Sequence, residues 1–209
     1  MSDTKMVDLI YPKTRAVIGL GNIGPRFDLT PHNIGFAALD ALAAEAGVQF
    51  ETGRMKSALV AEVTHGDYKL LLVKPSTGMN DSGCALAELL NEMGYDFPQI
   101  MVIFDDLSFP FGRMKMKNDG SRSSAGHNGV ASLLSQLPET RMLSKLKLGV
   151  GPDPGGPNRF AYVLKPVEGD VLTVYRAVAS EAATGIKLWT NQGSEALMRR
   201  YNSKDFEVR

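Results

Sequence analysis

The sequence predicts a single α/β domain built on a mixed, mostly parallel, twisted sheet flanked by helices. Three observations predict it. Short apolar, β-branched runs alternate with segments of helical period, the pattern of strands interleaved with helices. No internal repeat and no Pro- or Gly-rich linker divides the chain. The 209 residues suit one domain, and 44% apolar with 22% charged residues is an ordinary globular composition.

The elements follow in order. Residues 1–14 are polar, contain Pro12 and are expected to form a loose arm, leaving 15–209 as the domain. "RAVIGL" (15–20) reads as a buried strand. Thr30-Pro31 offers an N-cap followed by proline at the first helical position, and "HNIGFAALDALAAEAG" continues as a helix to near Gly47. "SALVAEVTHGDYKLLLVKP" (57–75) reads as two strands around a tight His65-Gly66-Asp67 turn. Asn80 or Asp81 can cap the helix "SGCALAELLNEMG", which ends near Gly94. "IMVIF" (100–104) is an apolar strand running into Asp105-Asp106. "GRMKMKNDGSRSSAGHNG" (112–129) begins as an alternating strand and becomes a Gly/Ser-rich loop. "VASLLSQL" follows as a helix, "SKLKLGVG" (144–151) as a strand and "PDPGGPN" as a loop. "VEGDVLTVYRAVASEAATGIKLW" reads as a long helix and "SEALMRRYN" as a shorter one.

Bulk properties exclude several functions. Lys plus Arg equals Asp plus Glu at 23 each, so net charge gives no general argument for nucleic acid and any basic site must be local. One cysteine, Cys84, forbids an intramolecular disulfide and is expected to be a small core residue. One Cys and three His argue against a structural zinc site. "MSDTKMVDLIYPKTR" lacks the apolar core of a secretory signal, and no apolar stretch approaches the roughly 20 residues of a membrane span. A cytoplasmic protein without cofactor or metal is the expectation.

Gly19-x-Gly21-x-x-Gly24 after an apolar run has the spacing of a dinucleotide-binding loop. Such a loop needs its last glycine to open a helix directly, because the pyrophosphate sits on that helix's N-terminus. Here Pro25 follows Gly24 and the helix start is at Thr30. The acidic residue about 20 positions on would be Asp40, inside a helix instead of at a strand end. A tight strand-to-loop turn explains Gly19 and Gly21 better than a nicotinamide or flavin site.

Polar clusters sit instead where strands end or helices begin: Gly21-Asn22, Thr30-Pro31-His32-Asn33, 77–83, Gly126-His127-Asn128-Gly129 and Asp105-Asp106. Sites of α/β sheets assemble at such places. Asparagines and histidines there suit substrate hydrogen bonding with acid–base chemistry. "GLGNIGPRFDLTPHNIGF", "KPSTGMNDSG", "FDDLSFPFG", "GHNG" and "KLKLGVG", in that order and spacing, resemble the bacterial-type peptidyl-tRNA hydrolase family.

The resemblance implies a monomeric α/β domain that needs no protein partner and hydrolyses the ester joining a peptide, or N-blocked amino acid, to the 3′-terminal ribose of tRNA. His32 matches the family's catalytic histidine and Asp105 the carboxylate that orients it. Asn22, Asn80 and Asn128 match asparagines that hold substrate and water. Phe27 takes the position of a cleft aromatic, with Gly78, Met79 and His127 beside the same binding region. A histidine near neutral pKa can take a proton from water, worth roughly 10²- to 10⁴-fold in rate. A carboxylate on its other nitrogen fixes the tautomer and stabilises the imidazolium that forms. An amide-recognising group would be left unpaired by a free aminoacyl ester, which favours peptidyl substrates. Each residue also has a plain structural reading: His32 as helix-start decoration, Asp105 and Asn22 as turn residues, Asn80 and Asn128 as helix caps.

In "RMKMK" and "KLKLG", Lys115, Lys117, Lys145 and Lys147 alternate with apolar residues, and each strand is expected to be greasy behind and cationic in front. Together they are a candidate phosphate patch, giving tRNA affinity without sequence readout. Pro31 stands where the family usually has arginine, Gly78 where it usually has an aromatic and Ile23 where proline is usual, and the loop "NDGSRSSAGHNG" is longer than common. The rival class is a catalytically weak RNA-binding or RNA-processing relative, like the chloroplast group II intron splicing factors; no transit-like leader is seen here to favour it.

Overall fold

Strand β1 (Thr14–Gly19) sits near the middle of one six-stranded sheet of order β2-β3-β1-β4-β6-β5. The others are β2 (Ala58–His65), β3 (Tyr68–Pro75), β4 (Ile100–Pro110), β5 (Met114–Lys117) and β6 (Ser144–Gly151). β1 runs parallel to β3 and β4, and β4 parallel to β6. The edges are antiparallel, β2 on β3 and β5 on β6, so the sheet is mixed as the sequence predicts. Helices are α1 (Ile34–Ala46), α2 (Gly83–Asn91), α3 (Asn128–Ser135), α4 (Asn158–Val163) and α5 (Gly169–Tyr201). The computed structural model describes residues 13–118, 120, 122–203 and 206–208; the expected arm, through residue 12, lies outside them.

Both sheet faces are covered, which is why the parallel strands read as near-continuous apolar runs. Val17, Met101 and Ile103 point into the layer formed with Leu39, Val178 and Trp189 of α1 and α5. Their neighbours Ile18, Val102 and Phe104 point into the opposite layer with Leu86, Leu89, Val130 and Leu133 of α2 and α3. This is the two-residue alternation of a strand, and each such fully buried side chain is worth roughly 1.5–3 kcal/mol.

Gly19 and Gly35 explain the glycine-rich start. A Cβ on Gly19 would lie 2.5 Å from the Gly35 carbonyl oxygen, and one on Gly35 would lie 2.6 Å from the Ile103 oxygen and the Leu20 nitrogen. The glycines let α1 sit directly on the ends of β1 and β4; close packing is their role, beyond the turn the sequence suggested.

Several local expectations are corrected. Thr30 does not cap α1: its Oγ1 donates to the Phe27 carbonyl, and a 3₁₀ turn, Pro31–Asn33, precedes the helix. Neither Asn80 nor Asp81 caps α2; both belong to a second 3₁₀ turn, Met79–Asp81, and α2 stops at Asn91, before Gly94. β4 continues past Phe104, so Asp105 and Asp106 lie inside a strand. The two C-terminal helices follow one another across a break at Gly193, whose backbone is non-helical. α4 was not expected at all. Cys84 is exposed on α2 instead of sitting in the core.

Candidate active site

The close seat of α1 brings the Pro31–Asn33 turn against β4. There His32 Nδ1 lies 2.9 Å and 3.1 Å from the two carboxylate oxygens of Asp105. Asp105 is 5% exposed and holds a second imidazole, with His127 Nε2 2.9 Å from its Oδ1. The tautomers follow from the partners. His127 caps α3 by accepting the Val130 N–H at Nδ1 (3.3 Å), so its Nε2 carries the proton and donates to Asp105. His32 donates from Nδ1, which leaves Nε2 as its basic nitrogen at the cleft that His32 lines. The two rings lie 4.8 Å apart, and Phe104 meets His127 edge-on at 5.3 Å.

Burial alone raises the Asp105 pKa, but the charges and hydrogen bonds of His127 and His32 outweigh it and hold the carboxyl far below its ordinary range. Burial lowers the His32 pKa, and the charge and hydrogen bond of Asp105 more than reverse this, leaving a net rise above 6.5.

Asn22 is placed from both ends. Asn33 accepts its backbone N–H at 2.8 Å and donates to its carbonyl at 2.9 Å. The Asn22 side-chain oxygen accepts the Met79 N–H at 3.2 Å, so its NH₂ remains to donate. Asn80 and Asn128 present exposed side chains along the same cleft, whose volume is about 620 Å³. Because His127 takes the cap position that the sequence left open to Asn128, the Asn128 carboxamide is not spent on the helix. Phe27, Gly78 and Met79 line the cleft too, so every residue expected at the substrate site is brought together. An added Cβ at Gly78 would meet nothing within 4 Å, so that stretch of wall is open.

The lysines do not line the cleft. The antiparallel register sets Lys115 opposite Lys147 and Lys117 opposite Lys145 on one face, as the alternation requires. β6, however, lies inside the sheet between β4 and β5. Lys145 is therefore 4% exposed, and Lys147 is half-buried with its Nζ 2.6 Å from Asp106. Both are withdrawn from the candidate phosphate patch, which contracts to the half-buried Lys115 and Lys117. Asp106 serves structure: it also accepts the Ser108 N–H and hydroxyl.

His32, Asp105 and His127 offer three ligand atoms within 4.8 Å of one another, the donor set of a transition-metal site. The bonds already described occupy those atoms, and a metal on His127 Nε2 would force a proton onto Nδ1, against the Val130 N–H. The cluster is better fitted to protons than to a cation.

Sequence reasoning missed two features. Asn33 enters the sequence reading only as a member of the polar cluster around His32, and nothing local signals its grip on Asn22. The far wall, Asp153, Gly156, Pro157, Arg159, Phe160, Val163 and Leu164, comes from the unexpected α4 and the loop before it.

A histidine tied to a buried carboxylate through one nitrogen and open to a cleft through the other, at the strand ends of an α/β sheet, has the equipment of a hydrolase. The chain belongs to the peptidyl-tRNA hydrolase family, whose pattern matches residues 16–209. It is 40% identical over 187 residues to the peptidyl-tRNA hydrolase of Moorella thermoacetica, covering 89% of this chain and 96% of that one. It is 34% identical over 190 residues to that of Levilactobacillus brevis, covering 90% of this chain and all of the other. The crystal structure of peptidyl-tRNA hydrolase from Acinetobacter baumannii has the same fold, with a TM-score of 0.83 at 20% identity over 93% of this chain and 96% of that one. No described helix is long and apolar enough to cross a membrane.

Proposed function

We propose that this protein hydrolyses the ester between a peptide, or N-blocked amino acid, and the 3′-terminal ribose of tRNA, with His32 as general base. The observation that carries the mechanism is the His32–Asp105 pair opening on the cleft, in a chain of this family. His32 Nε2 takes a proton from water as the oxygen attacks the ester carbonyl, and Asp105 stabilises the imidazolium that forms. The Asn22 NH₂ donates to the developing oxyanion, a contribution of about 3 kcal/mol in comparable sites; the hold of Asn33 on its backbone and of the Met79 N–H on its side-chain oxygen supports this role. The proton then passes from His32 to the leaving ribose oxygen. Asn80 and Asn128 serve the peptide amides, which separates peptidyl from free aminoacyl esters. No cofactor or metal enters these steps. The protein acts as a cytoplasmic monomer that returns tRNA from prematurely released peptidyl-tRNA, needing no protein partner.

Single-turnover deacylation of N-acetylaminoacyl-tRNA tests this. His32→Ala is expected to lose at least about 10²-fold in rate with tRNA binding little changed. Equal rates overturn the assigned base. Retained tRNA binding with no hydrolysis by the unaltered protein would favour the RNA-binding relative instead.

A further inference from the structure

Phe160 is 70% exposed, the most exposed large hydrophobic side chain among the described residues, yet it lines the cleft that holds His32. Its helix is not loose. Arg159 binds Asp153 through two nitrogens, at 2.8 Å and 2.6 Å, and the Tyr162 hydroxyl donates to the Val150 carbonyl at 2.8 Å. Val163 is buried, and α4 packs on the turn that carries His32. Residues on both sides of Phe160 are thus tied to neighbouring structure while its ring stands open to water on the wall of the same cleft.

We propose that Phe160 is the stacking platform for the 3′-terminal nucleobase of tRNA. The inference rests on the peptidyl-tRNA reading and deepens it. An apolar peptide side chain would want an enclosing pocket, which a ring exposed to 70% does not make. A nucleobase needs only one open π-face, and stacking is indifferent to base identity. The apolar members of this wall, Pro157, Val163 and Leu164, offer nothing to a hydrogen-bonding edge, and its charged members, Asp153 and Arg159, are bonded to each other. The nearby guanidinium of Arg159 is already committed to Asp153. The carboxamides of Asn22, Asn80 and Asn128, by contrast, suit peptide amides. Every peptidyl-tRNA presents the same nucleoside at the scissile ester but a different peptide, so a non-reading aromatic fits the invariant side.

The test is a double-mutant cycle in kcat/KM. Wild type, Phe160→Ala and Phe160→Trp act on N-acetylaminoacyl-tRNA with its ordinary terminal adenine and on a counterpart whose terminal ribose lacks the base. Phe160→Ala is expected to lose about 5- to 100-fold on the ordinary substrate and less than about 2-fold on the base-free one, with Phe160→Trp near wild type. Equal losses on both substrates, or none on either, overturn the platform while wild-type turnover leaves the peptidyl-tRNA reading intact. A wild type inert towards both overturns the reading and the platform together.

Discussion

Asn33 holds the backbone of Asn22 at both its N–H and its carbonyl, across a loop of ten intervening residues. The grip joins the residue after the proposed general base to the proposed oxyanion donor, so the position of one is coupled to that of the other. Asn33→Ala removes both bonds. It is expected to lower kcat by about 10-fold or more with KM for tRNA substrates little changed, because alignment is lost and not affinity. Asn33→Asp keeps the acceptor but sets a carboxylate oxygen against the Asn22 carbonyl, so it should not rescue the rate. Wild-type kcat in either variant would detach Asn33 from catalysis.

The pH profile should report the His32–Asp105 pair. Burial pulls the imidazolium pKa down and Asp105 pulls it up further, so the net value lies above 6.5. The base must be neutral, so kcat/KM rises with pH through a midpoint above 6.5. Asp105→Asn removes the charge and leaves the burial. The acid limb should move below 6.5 while the plateau falls by roughly 10²- to 10⁴-fold. A limb that stays in place would show that another group titrates.

The remaining cationic pair should act on tRNA through charge alone. Lys115→Ala with Lys117→Ala is expected to weaken tRNA binding at low salt and to reduce the slope of log K against log salt by about 2. Lys147→Ala should behave differently. It strands the buried Asp106 and is expected to cost about 3 kcal/mol in urea unfolding, with little change in that slope. An unchanged slope in the double variant removes the patch.

Gly35→Ala probes the seat of α1. The new Cβ meets backbone atoms at 2.6 Å, which cannot swing aside as a side chain could. Urea unfolding should show a loss of about 1–3 kcal/mol, and deacylation should slow, because the turn carrying His32 must lift from β4. An unaltered midpoint would mean that the helix shifts without cost.

The strands and the larger helices were legible because each is an apolar run bounded by Gly, Pro or polar turns. His32 and Asp105, 73 positions apart, were legible only through the ordered motifs around them; nothing local joins the two. Four failures have physical causes. Alternation in "KLKLG" shows which lysines share a face but not what covers it, so the burial of Lys145 was invisible. α4 spans six residues after a Pro/Gly-rich stretch, too few for a helical period to emerge. The cap of α3 went to a histidine nitrogen instead of the adjacent asparagine, a choice set by Asp105 from another strand. Cys84 lies on the solvent side of a helix between the buried Gly83 and Ala85, so its neighbours in sequence do not mark the boundary.

One imidazole, that of His127, terminates a helix with its first nitrogen and steadies the Asp105 carboxylate with its second. The N-terminal cap of α3 and the support of the proposed general base therefore share one side chain. Unwinding the first turn of that helix frees the ring and leaves Asp105 with one donor instead of two, so that His32 alone orients the carboxylate. The Gly/Ser-rich segment that leads into α3 also walls the cleft, so any rearrangement there reaches the catalytic proton through a mechanical linkage one side chain long.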